Sequence, residues 1–176
     1  MNQANDPAGA GHNPDVKALF DVLGKRGDWK VAVAESCTGG LLAAALTAQA
    51  GSSAWFDRGF VTYSNDAKQE LLGVAPQSLQ EHGAVSEQVA CEMAAGVLAA
   101  AQPARAAVSI TGIAGPDGAV PGKPVGTVCF GFARRSDDGV VIVAATTEHF
   151  EGDRAAVRAA SVGYALRALT AFCKQG

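Results

Sequence analysis

The sequence contains no run of basic residues, no long apolar stretch and no paired cysteines. Fourteen Lys and Arg stand against 17 Asp and Glu, which gives a formal net charge of -3 over 176 residues. Without a basic patch, a protein has no strong attraction for a nucleic-acid backbone or an anionic membrane surface. The apolar stretches fall short of the roughly 18 residues of a membrane span, and a basic-then-apolar signal pattern is missing. We therefore expect a cytoplasmic protein that binds neither nucleic acid nor membrane.

The four cysteines are too scattered to indicate a disulfide framework or a zinc site. No CxxC pair occurs, and only three histidines could join them. The signatures HExxH, GxSxG and GxGxxG are missing, as is the phosphate-binding pattern GxxxxGK(S/T). We predict a site that uses neither a metal nor a cofactor.

The order of apolar segments predicts one α/β domain. Hydrophobic residues make up 48% of the chain, enough for one core. Residues 1–12 are small, polar and aperiodic, and we interpret them as a disordered leader before a domain at 13–176. Strand patterns at 29–34, 56–64 and 105–111 alternate with helical patterns, and a turn at 137–139 indicates a hairpin. This order predicts a three-layer α/β/α domain on a mixed sheet. The helices are predicted at 14–22, 39–49 and 65–72, after Ser86 and after Asp153.

The 21 glycines concentrate where predicted strands end. Residues 35–40 form the turn between the first strand and its helix, a place where open α/β sheets hold ligands. The unpaired amides of a helix start would stabilise an anion or a developing oxyanion at Ser36, and Gly39 and Gly40 would leave room for it. Alternatively, Ser36 or Thr38 only caps the helix, and the glycines only make the turn.

Two further segments suit a site. Tyr63 and Lys68 lie at the start of a short helix, where a cation opposes the helix dipole; this lowers the pKa of the lysine, as a general base requires. The alternative hypothesis is that Lys68 is an ordinary surface lysine without a role in a site. The glycine-rich loop at 112–124 can form a nest of backbone donors for a phosphate or a carboxylate, or it is purely structural. Lys123 adds a cation near the end of this loop.

Five sequence segments match the motifs of a known family, in the same order along the chain. They are AESCTGG (34–40), GSSAWFDRGFVTYSNDAK (51–68), HGAVSE (82–87), SITGIAGPDG (109–118) and KPVGTV (123–128). They closely resemble the CinA C-terminal domain family, the nicotinamide-nucleotide amidases, over residues 16–173. The resemblance implies metal-free hydrolysis of the carboxamide of nicotinamide mononucleotide, giving nicotinate mononucleotide and ammonia in pyridine-nucleotide salvage. It also implies a dimer. Because the chain has no room for the N-terminal pyrophosphatase-like domain of the larger members, we expect a stand-alone amidase.

The resemblance assigns catalysis, motif by motif, to Ser36, Tyr63 and Lys68. Neutral Lys68 would take the proton of Ser36, Ser36 would attack the amide carbon, and Tyr63 would orient or relay the proton. Lys123 is a rival base that we rank below Lys68. For the substrate we predict contacts with the following residues: Thr111, Gly112, Ala114 and Gly115 first, then Thr38, Gly39, Gly40 and Arg58.

A competing hypothesis is a non-catalytic module that senses a nucleotide or binds competence and DNA-repair proteins. A sensor could dispense with Lys68 while keeping the glycine-rich loops. The release of ammonia from nicotinamide mononucleotide would distinguish the two hypotheses.

Overall fold

The computed structural model describes residues 13–27, 29–139 and 141–175, so the predicted leader at 1–12 lies outside the described residues. The helices within these ranges are α1 (Pro14–Gly24), α2 (Leu41–Thr47), α3 (Asn65–Leu72), α4 (Pro76–His82), α5 (Glu87–Ala100) and α6 (Arg154–Lys174). The strands are β1 (Lys30–Glu35), β2 (Phe56–Val61), β3 (Ala104–Gly112), β4 (Thr127–Arg135) and β5 (Val141–His149). No helix in the described ranges is both long and apolar enough to cross a membrane.

The strands form one mixed sheet in the order β2-β1-β3-β4-β5. The first three are parallel, and β4 and β5 return antiparallel as a hairpin. Helices cover both faces, which confirms the predicted α/β/α fold. The hairpin strands are longer than their alternating patterns suggested, because β4 and β5 pair over the full length of both strands.

The two faces of the sheet have different packing requirements. Val31 and Val33 of β1 join the core cluster that contains α1, α2 and α6. Ala32 and Ala34 point to the opposite face and pack with α5. A Cβ at Gly131 of β4 would overlap the carbonyl oxygen of Ala90, so α5 lies directly on the sheet. Small side chains on this face are therefore what lets the helix approach so closely.

Local capping signals set most helix starts. Asn13 accepts a hydrogen bond from the amide of Asp15, and Ser86 and Asp153 cap α5 and α6 in the same way. Helix α3 is capped by Ser64, whose hydroxyl accepts from the amide of Ala67. Helix α2 begins two residues later than predicted because Gly39 and Gly40, both at positive φ, form the turn before it.

Parallel pairing brings three strand ends to one edge of the sheet. Residues 36, 62 and 113 directly follow β1, β2 and β3, and β1 lies between the other two. Helix α6 begins at the same edge, because β5 ends beside the start of β4. Open α/β sheets bind ligands in the crevice at such an edge, where the strand order reverses.

Candidate active site

A cavity of about 260 Å³ opens at this edge of the sheet. Its walls contain the three residues to which the motifs assigned catalysis, Ser36, Tyr63 and Lys68. The segment 111–115, which spans the end of β3 and the residues directly after it, also lines the cavity, so the four residues there that were expected to bind substrate are part of its wall. The fold thus gathers segments that are far apart in the sequence around one space.

Lys68 lies at the base of the cavity, and only 1% of its surface is exposed. Its Nζ is 3.1 Å from Ser36 Oγ and donates to the carbonyl oxygen of Thr62 at 2.9 Å. Longer contacts of 3.4 and 3.5 Å reach the carbonyl oxygens of Tyr63 and Ser64. Within the described ranges it forms no ion pair with a carboxylate.

These surroundings favour the neutral amine of Lys68. Burial disfavours the ammonium and lowers the pKa of Lys68, and the nearby Cys37 raises it by less. A neutral amine has two N–H groups and one lone pair. The backbone carbonyls can accept from the N–H groups, which leaves the lone pair for the hydroxyl proton of Ser36. The pair therefore has the geometry of a nucleophile with its general base.

The Glu35 side chain accepts hydrogen bonds from backbone amides at the start of α2, so these amides are not free to bind a ligand near Ser36. This carboxylate is 1% exposed and accepts from the amides of Gly40, Leu42 and Ala43 at 3.1, 3.0 and 2.8 Å. It thus caps α2 from the preceding strand and compensates the positive end of the helix. The start of α2 is consequently occupied by the protein itself and is no open anion site.

The amide of Thr38 takes no hydrogen-bond partner among the described residues, and the amide of Cys37 bonds only to its own thiol. They directly follow Ser36 and are the backbone donors closest in sequence that could stabilise an oxyanion there. The Cys37 thiol lines the cavity, but burial raises its pKa to about 11. The thiol is therefore protonated near neutral pH and is not the reactive nucleophile.

The sequence analysis missed Arg154, the first residue of α6. Its guanidinium lines the cavity and donates to the carbonyl oxygen of Gly115 at 2.8 Å and to the hydroxyl of Tyr63 at 2.9 Å. The phenol of Tyr63 forms no described hydrogen bond to Ser36 or Lys68, so a proton relay through it stays a prediction. A cation in the first turn of a helix, the signal that singled out Lys68, could have identified Arg154 as well.

Local packing explains the glycines at the end of β3 and in the loop that follows it. Gly115 has φ +82°, and a Cβ there would come within 2.6 Å of Val125; a Cβ at Gly112 would come within 2.8 Å of Val128. Thr111 is 1% exposed and donates its hydroxyl to the carbonyl oxygen of Ala84. The amides of Ala114 and Gly115 bind no described residue and remain available to a ligand.

Five predicted residues do not line the cavity. The Thr38 side chain is fully buried, and its carbonyl oxygen accepts from Arg158. Gly39 and Gly40 shape the turn, and the Gly40 amide is taken by Glu35. The Arg58 side chain binds Asp57 and the carbonyl oxygen of Ala100 instead, and Lys123 donates to the carbonyl oxygen of His82. Lys123 therefore supports the loops that enclose the cavity, which is inconsistent with a role as the base.

Comparison with known proteins identifies close relatives. Residues 15–173 match the family model of the CinA C-terminal domain. The nicotinamide-nucleotide amidohydrolase PncC of Enterobacter agglomerans is 60% identical over 147 residues, 83% of this chain and 87% of that protein. The protein of the same name from Escherichia coli strain K12 is 56% identical over 139 residues, 79% of this chain and 81% of that protein.

Solved structures share the fold. A competence-damaged protein (CinA) superfamily protein from Klebsiella pneumoniae superposes with a TM-score of 0.84 at 40% identity, covering 92% of this chain and 97% of that one. The competence/damage inducible protein CihA from Agrobacterium tumefaciens gives 0.82 at 42% identity, covering 94% and 98%. The cavity described above therefore sits in a fold with closely similar experimental counterparts.

Proposed function

This chain belongs to the CinA C-terminal domain family, and we propose that it hydrolyses the carboxamide of nicotinamide mononucleotide in the salvage of NAD. The products are nicotinate mononucleotide and ammonia. The observation that carries this proposal is the 3.1 Å contact between Lys68 Nζ and Ser36 Oγ. Lys68 is buried and forms no ion pair with a carboxylate of the described residues. The amidohydrolase names of relatives at 56–60% identity point to the substrate.

In the proposed mechanism, Lys68 and Ser36 form an acyl-enzyme. The lone pair of Lys68 takes the hydroxyl proton while Ser36 Oγ attacks the amide carbon. The amides of Cys37 and Thr38 hold the oxyanion. The Lys68 ammonium then gives its proton to the departing amine, which leaves as ammonia. Lys68, neutral again, takes a proton from water, the water attacks the nicotinoyl ester, and Ser36 is released. No step uses a metal or a cofactor.

We assign the substrate's phosphate to Arg154 and the adjoining amides of Ala114 and Gly115. A phosphate monoester carries about -1.5 to -2 charges at neutral pH and needs fixed donors. Arg154 uses only two of its five N–H groups in bonds to Tyr63 and Gly115. The remaining donors suit an anion at the cavity mouth. Tyr63 is 60% exposed, so in this arrangement it lies at the side of the bound substrate and not at the buried end of the cavity.

The buried lysine argues for an enzyme over a binding module. Removing a lysine from water without a carboxylate partner costs stability, and binding a nucleotide does not require it. Catalysis by Ser36 does require it. Dimer formation and cytoplasmic location stay predictions; light scattering on the purified protein measures the first of them.

The test is ammonia release from nicotinamide mononucleotide by wild type and Ser36→Ala. The variant should lose at least a thousandfold in turnover, since it lacks the nucleophile, and should still bind the substrate. Cys37→Ala is the matched control and should keep most of the activity. Residual turnover of Ser36→Ala above about a tenth of wild type would remove Ser36 from its role.

A further inference from the structure

The cavity contains one carboxylate that the proposed mechanism does not use. Asp117 lies in the loop between β3 and β4 and lines the cavity. Its side chain forms no hydrogen bond or ion pair among the described residues, and Arg154, in the same cavity lining, donates to Tyr63 and Gly115 instead. The loop is held by other bonds, such as that from the amide of Ile113 to Thr127. Asp117 is exposed, so its carboxylate is accessible to a ligand in the cavity.

The chemistry of a carboxylate limits what Asp117 can contact. An ionised carboxylate only accepts hydrogen bonds, so it suits a group with O–H or N–H donors and repels a phosphate. Asp117 follows Gly115, whose carbonyl oxygen holds Arg154, by two residues along the chain. It lines the same cavity as Lys68 and Ser36, which mark the carboxamide end.

We propose that Asp117 is a specificity-determining residue that accepts hydrogen bonds from the ribose 2′- and 3′-hydroxyls of the substrate. This inference rests on the proposed function, because in a nicotinamide nucleotide the ribose joins the base to the phosphate. Two neighbouring hydroxyls match the two oxygens of one carboxylate, a pairing also used by the acidic residue of dinucleotide-binding folds. Asp117 makes the enzyme selective for ribosyl over deoxyribosyl nicotinamides.

The experiment compares two substrates in three proteins. The kcat/KM values of wild type, Asp117→Ala and Asp117→Asn are measured with nicotinamide mononucleotide and with its 2′,3′-dideoxy analogue. Asp117→Ala should lower the value for the natural substrate about 10- to 100-fold, the range for hydrogen bonds to a charged group. The analogue should be poor in wild type and change less than about twofold in the variant. Asp117→Asn, which keeps one acceptor oxygen, should lie between the two for the natural substrate.

Equal losses on both substrates would overturn the inference, because Asp117 would then act on the pyridinium charge or on the loop. No loss on either substrate would overturn it as well. Glu70→Gln, an exposed carboxylate outside the cavity, is the control for a general change of charge. If wild type releases no ammonia, the proposed function fails, and the same comparison is made on the dissociation constants of both compounds. A preference for the ribosyl compound that disappears in Asp117→Ala would still support the role of Asp117, and its persistence would refute it.

Discussion

Replacement of Lys68 by methionine separates the chemistry of this residue from its packing. Methionine fills similar space without a charge, and Lys68 is only 1% exposed, so the core should remain filled. The variant loses the 3.1 Å contact to Ser36 and with it the proton acceptor. A positioned general base contributes about 10²- to 10⁴-fold to a rate, so kcat should fall by at least a hundredfold, with a smaller change in KM.

The same variant should be more stable than wild type below the pH at which Lys68 loses its proton. Burial lowers the pKa of Lys68 in the folded protein, whereas the unfolded chain keeps the ordinary value near 10.5. The folded protein therefore binds fewer protons than the unfolded chain between these two values, and wild-type stability rises with pH in that window. Below the folded-state pKa the full penalty applies, so the advantage of Lys68→Met should be constant there and should disappear as the pH approaches 10.5.

The assays are steady-state ammonia release and thermal unfolding over a pH series. The wild-type kcat/KM should rise with pH through the lowered pKa of Lys68, since only the neutral amine accepts the proton of Ser36. Lys123→Met is the matched control, because its ammonium contacts the carbonyl oxygen of His82 outside the cavity. A Lys68→Met variant with more than a tenth of wild-type kcat, or a collapse of kcat in Lys123→Met alone, would show that Lys68 is not the base.

Two further predictions concern the substrate phosphate and the packing of α5. Arg154→Gln should raise KM for nicotinamide mononucleotide about 10- to 100-fold and should change KM for nicotinamide riboside much less, because only the mononucleotide carries the phosphate. Arg167→Gln is the control. An equal rise of KM for both substrates would contradict the assignment of the phosphate to Arg154. Gly131→Ala should lower the free energy of unfolding by about 1–3 kcal/mol in urea titration, because the added methyl group overlaps the carbonyl oxygen of Ala90. Gly24→Ala, with no atom within 4 Å of the added Cβ, should be neutral, and similar results for the two glycines would argue against close packing of α5.

The local sequence determines much of this protein. Caps such as Asn13 and Asp153 fix where helices begin, since a side-chain oxygen meets the free amides of the first turn within a few residues. Alternation of strands and helices favours parallel pairing, and the parallel pairing of β1 with β2 brings their ends together. Ser36 and Lys68 each follow one of those strands, and it was the family resemblance that assigned both to one site.

Only the tertiary structure decided how the site is completed. Arg154 reaches Tyr63 across 91 residues of sequence, a contact that no local pattern encodes. Glu35 takes the amides at the start of α2, so the anion site expected at Gly40 is filled by the protein itself. A helix start offers free amides to whichever acceptor reaches them first, and only the three-dimensional arrangement determines which acceptor does.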